Sequence, residues 1–183
     1  MTALLILLAI VVLVGVVLVV LYNRLVTLRN RIEGAWAQID VQLKRRYDLI
    51  PNLVETVKGY ASHEKETLDA VVRARNAAGQ ASGPADKAQA ENVVTSALRQ
   101  VFALSEAYPD LKANQSFLSL QEELAGTEGR IAYARQYYND TVLRYNTKIQ
   151  TFPSVVLAGA MRFQEREYFE ADDASRGPVQ VQL

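Results

Sequence analysis

The single histidine, His63, is the side chain in this sequence best suited to bind a metal or to transfer protons. It stands among carboxylates in Ser62-His63-Glu64-Lys65-Glu66, but Thr67 occupies the place of the second histidine in an H-E-x-x-H zinc motif. The chain has no cysteine, so a metal would need further carboxylates from other helices. A solvated polar face or an interhelical hydrogen bond is the simpler interpretation.

The sequence contains no pattern typical of nucleophilic, phosphate-binding or paired-carboxylate catalysis. No serine lies in a G-x-S-x-G context, and neither G-x-x-x-x-G-K-[ST] nor G-x-G-x-x-G occurs. Glu122 and Glu123 are adjacent, and adjacent side chains on a helix point about 100° apart and cannot share a substrate. Asp172 and Asp173 fall in a predicted tail. We therefore predict a non-enzymatic chain with no catalytic, cofactor-binding or metal-binding residues.

Aromatic side chains form a second group with possible binding chemistry. Trp36 is the only tryptophan, and Tyr138 and Tyr145 are each followed by an asparagine, Asn139 and Asn146. An aromatic ligand cradle is one interpretation. The other is a core layer whose hydroxyl and amide groups bond across a helical bundle, because buried tyrosines usually find such partners.

The elements that carry these residues are predicted to be amphipathic helices, because apolar positions recur with a mean step of about 3.6 residues. The first stripe comprises Leu25, Leu28, Ile32, Trp36, Ile39, Leu43, Tyr47 and Ile50. Pro51 is expected to end or kink this helix, since the residue before a proline is pushed out of the α region. Pro51 is equally suited to the first turn of a second helix.

Three further helices are predicted by the same period. The second fades near Gly79 into a loop at 79–86, and the third stops near Tyr108-Pro109. The fourth covers Phe117 to Ile149 and ends at Phe152-Pro153, because proline cannot extend the hydrogen-bond ladder.

No run has the period of a β-strand, so we predict an all-α fold. An N-terminal transmembrane helix continues into an antiparallel four-helix bundle, with a short C-terminal helical segment. The bundle domain is assigned to 22–169 and a flexible tail to 170–183. The apolar stretch at 154–162, followed by the aromatic 163–169, either caps the bundle or offers an interaction surface, and both readings stay open.

The apolar run at 3–21, which follows a short N-terminal end at 1–2, holds nineteen residues without a charge. A helix of that length spans about 28 Å, close to the hydrocarbon thickness of a bilayer. The run is too long for a cleavable signal peptide and lacks a basic n-region, so we expect a retained anchor. Arg24, Arg29 and Arg31 follow the run, and the positive-inside rule therefore places the N-terminus outside and the folded part in the cytoplasm.

Charge is balanced, with 20 basic and 20 acidic residues, which argues against nucleic acid as a partner. The densest basic run, Lys44-Arg45-Arg46, could contact anionic lipid or a protein. On a continuous helix it would lie roughly 35 Å from the membrane edge, well beyond the ~8 Å screening length. Pairing of Lys44 with Asp40 and Asp48 is the simpler account.

Residues 22–169 resemble the LemA family of bacterial membrane proteins. The resemblance rests on AWAQIDVQLKRRYDLIPNLVETVKGYA at 35–61, YPDLKAN at 108–114, FLSLQEEL at 117–124 and YNTKIQTFPS at 145–154. It implies a helical bundle on an N-terminal anchor in the bacterial plasma (inner) membrane, and it implies no catalytic residues. Relatives include a magnetosome-formation protein, and members of the family are often discussed alongside a membrane zinc metalloprotease.

Two functional hypotheses follow. The first is a non-enzymatic, membrane-anchored interaction or scaffold protein that contacts the bilayer through 3–21 and forms homo-oligomers, since tethering raises the local concentration of like neighbours. Another membrane protein, such as a membrane protease, is a further candidate partner. The alternative is a ligand- or metal-sensing bundle, or an enzyme, with a site around His63 and Glu64.

Overall fold

The computed structural model describes residues 1–170, and the predicted tail lies, from residue 171 onward, outside the described residues. Within residues 1–170 the chain forms helices and no β-strand, which confirms the all-α prediction. The helices are α1 (Thr2–Lys58), α2 (Lys65–Gln80), α3 (Pro84–Ala107), α4 (Pro109–Lys112), α5 (Gln115–Gln150) and α6 (Ser154–Ala160). The short helix α6 is the predicted C-terminal helical segment.

The N-terminal part of α1 is long and apolar enough to cross a membrane. Its large apolar side chains from Leu4 to Val20 are exposed, whereas Leu25, Ile32 and Ile39 farther along are buried. The remaining positions of the predicted stripe, to Ile50, are buried or half-buried. One helix therefore carries the exposed apolar run and then contributes to a folded core.

Pro51 lies inside α1, so the prediction that it ends or begins a helix was wrong. Proline lacks the main-chain N–H group that would donate a hydrogen bond to the carbonyl oxygen of the residue four positions earlier, Tyr47. The Nε atom of Arg75 on α2 donates a hydrogen bond to that carbonyl oxygen at 3.2 Å. Because the freed acceptor has a partner, the helix continues to Lys58.

The connection between α2 and α3 is shorter than the predicted loop at 79–86. Helix α2 continues to Gln80 and α3 already begins at Pro84. Proline suits the first position of a helix, where its missing amide would have no partner. Gly83 precedes it with a φ of 84°, a left-handed conformation that glycine adopts without strain.

The chain divides into two compact units. Within the described residues, the first comprises 1–37 and 136–167, and the second comprises 38–135 and 168–170. The second unit has a hydrophobic core formed by α1, α2, α3, α4 and α5, with Ile50, Val71, Val101, Leu111 and Phe117 among its members. The antiparallel order of four helices, and the assignment of 22–169 to one domain, stay predictions.

The first unit buries side chains from three helices. Leu25 and Ile32 come from α1, Val142 and Tyr145 from α5, and Ala158 from α6. Helix α5 runs without interruption from Gln115 to Gln150, past Gly126 and Gly129.

Candidate functional site

After α6 the chain reverses, and residues 163–167, here called the return segment, lie along α5 in the first unit. The Tyr145 hydroxyl donates a hydrogen bond to the Gln164 carbonyl oxygen at 3.0 Å, and the Tyr138 hydroxyl donates one to the Glu167 carbonyl oxygen at 2.9 Å. Later residues of the segment thus meet earlier residues of α5. The return segment therefore runs antiparallel to that helix.

Asn146 binds the return segment through both ends of its amide. Its Nδ2 atom donates to the Arg166 carbonyl oxygen at 2.9 Å, and its Oδ1 atom accepts from the Arg166 amide at 2.9 Å. Asn146 and Tyr145 are buried. These bonds satisfy main-chain groups that have no helix or sheet partner, which is what fixes the segment in an extended conformation.

Aromatic contacts complete this part of the first unit. The rings of Trp36 and Tyr138 lie 5.5 Å apart between centroids, and Tyr22 meets Phe163 edge-on at 6.0 Å. Burial raises the pKa of Tyr138 and the pKa of Tyr145 above the usual tyrosine range. The tyrosines therefore form a packed, hydrogen-bonded core layer, and their hydroxyls bond to the return segment.

Two concave surfaces lie next to the return segment and the start of the folded part. The first, of about 270 Å³, is lined by Tyr22, Arg29, Tyr145 and residues 161–166. The second, a shallow groove of about 550 Å³, is lined by Val20, Asn23, Arg24, Thr27, Leu28, Arg31 and Lys148. The groove combines apolar carbon atoms with three cationic side chains.

The second unit contains a buried ionic cluster, defined by Arg46, Tyr47, Glu91, Thr95 and Glu128. Arg46 and Glu91 are each only 2% exposed, and Arg46 Nη1 lies 3.2 Å from Glu91 Oε2. The same nitrogen lies 3.1 Å from Glu128 Oε2, and Arg46 Nη2 donates to Thr95 Oγ1 at 2.7 Å. The Tyr47 hydroxyl donates to the other Glu91 oxygen.

Burial governs the protonation of this cluster. Removal from water raises the pKa of Glu91 despite the opposing effects of Tyr47 and Arg46. Burial and the hydrogen bond to Glu91 both raise the pKa of Tyr47. Removal from water also lowers the pKa of Arg135, whose guanidinium carbon lies 4.6 Å from the centre of the Phe169 ring.

The donors and acceptors of the ionic cluster are directed at one another. A cavity of about 220 Å³ opens beside it, lined by Arg46, Thr95 and Glu128 and by the apolar Leu98, Phe102 and Leu124. Because the side chains come from α1, α3 and α5, the cluster ties these three helices together within the second unit. Its observed chemistry is ion pairing and hydrogen bonding between helices.

The basic side chains at 44–46 differ in their exposure to solvent. Arg45 pairs with Glu123 at 3.7 Å on the surface, whereas Arg46 is buried. Asp40 pairs with Lys87 at 3.7 Å, in place of the expected Lys44. The preferred structural interpretation of the run therefore holds for Arg46, although through partners that are distant in sequence.

His63 is exposed in the turn between α1 and α2. Its neighbour Glu64, which the alternative hypothesis placed in a site with His63, accepts a hydrogen bond from the Tyr108 hydroxyl at 3.0 Å. Within residues 1–170 no group of three or more histidine, aspartate or glutamate side chains is arranged to hold a metal ion. The predicted absence of site residues stays a prediction.

Sequence reasoning singled out Tyr138, Tyr145 and Asn146 but assigned their bonds to other helices of the bundle. It missed Glu91, which lies 45 residues from its partner Arg46. One signal in the sequence could have identified Glu91. It precedes Val94, Leu98 and Val101 at steps of three and four, so it lies on the apolar face of α3, where a glutamate is unusual.

Comparison with known proteins agrees with the sequence resemblance. The chain is 27% identical to Protein LemA of Metamycoplasma hominis over 161 residues, which cover 86% of this chain and 72% of that protein. It is 26% identical to the magnetosome protein MamQ of Magnetospirillum gryphiswaldense and 24% identical to MamQ 2 of Paramagnetospirillum magneticum, in each case over 86% of this chain and 68% of the relative. Residues 35–183 match the LemA family itself, and the chain belongs to that family.

Proposed function

We propose that this chain is a non-enzymatic, membrane-anchored interaction protein that acts as a scaffold in the bacterial inner membrane. The anchor is the apolar part of α1, whose side chains are exposed along the run while the same helix enters the core farther on. The names of the relatives, Protein LemA and magnetosome protein MamQ, describe no enzyme.

The observation that carries the interaction role is the exposure of large apolar side chains in the second unit. Tyr133 exposes 72% of its surface, Val41 63% and Val93 58%. Aromatic side chains such as that of Tyr133 are enriched at protein–protein interfaces. The ionisable groups buried in the same unit bond to each other, so they support structure rather than chemistry.

The partner we expect first is a second copy of this chain, because all copies share the plane of the membrane. Another membrane protein, such as a membrane protease, is the second candidate. In either case the interface includes Tyr133.

Photo-crosslinking in the native membrane tests the proposal. Benzoylphenylalanine in place of Tyr133 preserves an aromatic ring, and illumination should give a discrete adduct whose mass identifies a second copy or another protein. The same residue in place of the exposed polar Gln100 is the matched control and should give little adduct. An absence of any adduct from Tyr133, Val41 and Val93 would contradict the interaction role.

The proposed orientation, with the folded part in the cytoplasm, rests on Arg24, Arg29 and Arg31 after the span. The chain has no cysteine, so one cysteine at the exposed Gln100 reports its side of the membrane. A membrane-impermeant maleimide should label it in inverted vesicles and not in intact spheroplasts. Labelling of intact spheroplasts would reverse the assignment.

A further inference from the structure

The connection between α5 and the return segment begins and ends close to the residues of α1 at which the apolar run stops. Tyr22 is the first residue after that run, and its ring meets Phe163 at 6.0 Å. Lys148, near the end of α5, lines the same groove as Val20, which belongs to the run itself. Both ends of the connection are therefore placed beside the membrane end of the folded part.

The connection itself is apolar and uncharged. Residues 151–161, here called the tip, read TFPSVVLAGAM without a charged residue. Phe152 exposes 82% of its surface, Val156 67% and Met161 53%. Single exposed apolar side chains are common on protein surfaces in water. A contiguous exposed apolar run without charges is instead typical of a surface that contacts a membrane or another protein.

Helix α6 orients the tip. Its Ser154 and Ala158, four residues apart, are buried, so one face of α6 is attached to the first unit. Val155 and Val156 are exposed on the remaining surface. These two valine side chains therefore do not pack in the core of the first unit.

Cationic side chains flank the tip on both sides. Lys148 precedes it and Arg162 follows it in the sequence. Lys148 shares the groove of about 550 Å³ with Arg24 and Arg31, immediately after the end of the span. Apolar side chains surrounded by lysine and arginine are typical of segments that lie in the interface of an anionic membrane.

We propose that the tip is a second membrane contact: its apolar side chains insert into the interfacial layer of the bilayer, while Arg24, Arg31 and Lys148 bind the phosphate groups of anionic phospholipids. The inference rests on the membrane anchoring in the proposed function. It adds a lipid-binding surface formed by the folded part. The contact restrains the first unit at the bilayer through the tip as well as through α1.

Depth-dependent fluorescence quenching in vesicles tests the proposal on the full chain. A single cysteine replaces Val156 in the cysteine-free protein, is labelled with the polarity-sensitive dye NBD, and the protein is reconstituted with phosphatidylcholine and phosphatidylglycerol. NBD at position 156 should emit at shorter wavelength than in water and be quenched by a spin label attached near the lipid headgroup. A second label in place of Phe152 should behave alike, which guards against a local effect of one substitution.

The matched control is Tyr137→Cys, exposed on α5 of the same unit. It lies eleven residues before Lys148, about 16 Å along the helix axis. NBD there should emit as in water and escape quenching. Equal, water-like emission at positions 156, 152 and 137 would overturn the proposed insertion.

The headgroup contact has its own test. Quenching at position 156 should be stronger with phosphatidylglycerol than with phosphatidylcholine alone, and Arg24→Gln, Arg31→Gln and Lys148→Gln together should remove that difference. Quenching that does not depend on phosphatidylglycerol would overturn the role of the cations. Co-flotation of the protein with the vesicles in a density gradient measures anchoring by α1 separately. Protein that floats without quenching at position 156 would contradict only the tip contact, whereas protein that does not float would contradict the anchor.

Discussion

Arg75 Nε lies 3.2 Å from the main-chain oxygen of Tyr47, the acceptor that Pro51 deprives of its helical partner. The relationship joins α2 to the middle of α1 and explains how a long helix passes through a proline. Without the guanidinium, a partly buried carbonyl would lose its only compensation for the missing amide.

The first prediction concerns this pair. Arg75→Ala should lower the free energy of unfolding by about 1–3 kcal/mol, since hydrogen bonds from charged donors have this magnitude. In a Pro51→Ala background the restored amide bonds to Tyr47, so the cost of Arg75→Ala should shrink and the two changes should not be additive. Urea unfolding of the detergent-solubilised chain measures both. Arg73→Ala, exposed on the same helix, is the control, and strict additivity of the two changes would contradict the assignment.

The second prediction concerns the ionic cluster. Arg46→Ala should cost about 3–5 kcal/mol, because it leaves the carboxylate of Glu91 buried without its cation. Combining Arg46→Met with Glu91→Leu should recover much of that loss, since the pair is then replaced by apolar side chains. Thermal unfolding followed by circular dichroism measures the changes.

Arg45 offers the matched control for the cluster. Its pair with Glu123 is about half exposed on both sides, so Arg45→Ala should change stability by no more than about 1 kcal/mol. Similar losses for Arg45→Ala and Arg46→Ala would show that burial does not govern the energetics of the run.

The third prediction concerns the return segment. Asn146→Ala removes both hydrogen bonds to the Arg166 main chain and should release the segment, at a cost of about 1–3 kcal/mol. Tryptic cleavage after Arg166 should become about tenfold faster or more, because cleavage follows the population of the open form. Gln150→Ala loses only an exposed side-chain bond to Glu165 and should leave the cleavage rate unchanged. An unaltered rate in Asn146→Ala would refute the clamp.

The fourth prediction concerns alkaline pH. Burial raises the pKa of Tyr138 and of Tyr145 above 10.0, the value of an unperturbed tyrosine, so the unfolded chain releases these protons at lower pH than the folded one. Stability is therefore lost as pH rises above about 10, by up to about 1.4 kcal/mol per pH unit for each group. Tyr138→Phe with Tyr145→Phe should fall less steeply than the parent in this range. The exposed Tyr133→Phe should fall as steeply as the parent, and identical slopes for all three proteins would contradict the argument.

The fifth prediction concerns the glycines of α5. A Cβ atom at Gly126 or Gly129 would meet no atom within 4 Å, so alanine fits at either position. Each substitution should raise the free energy of unfolding by about 0.5–1 kcal/mol through the lower entropy of the unfolded chain. Gly83→Ala should instead destabilise the protein, because the φ of 84° is strained for alanine. Denaturant midpoints of the three variants check the opposite signs.

The helical stripes were predictable because burial follows the sequence period. Every position of the first predicted stripe, from Leu25 to Ile50, is buried or half-buried. The same holds for the apolar positions that recur with helical spacing in the fourth helix, namely Phe117, Leu120, Leu124, Ile131, Tyr138, Val142, Tyr145 and Ile149. Such patterns depend on residues within a few turns of each other, which the sequence places side by side. They also predicted the ends of α3 near Tyr108-Pro109 and of α5 near Phe152-Pro153.

The failures share a different physical origin. Pro51 continues a helix because Arg75, 28 residues away from Tyr47, supplies a donor, and Arg46 is buried because Glu91 faces it from another helix. The helix propensity of the residues around Pro51 and Arg46 gives no information about partners on other helices. The candidate site divides in the same way: Tyr145 and Asn146 were recognisable as polar groups on an apolar face, but the extended main chain that they bind was not.

Tyr138, Tyr145 and Asn146 hold the return segment through its main chain. At 164, 166 and 167 the groups that are held are carbonyl oxygens and one amide, which every residue except proline offers alike. Substitutions at 164 and 167 leave these main-chain bonds in place, whereas Arg166 also binds Glu33 through its guanidinium at 2.9 Å, so position 166 is constrained by its side chain as well. The exposed side chains at 164 and 167 can therefore vary while the main chain keeps its place, as in a variable loop on a constant framework.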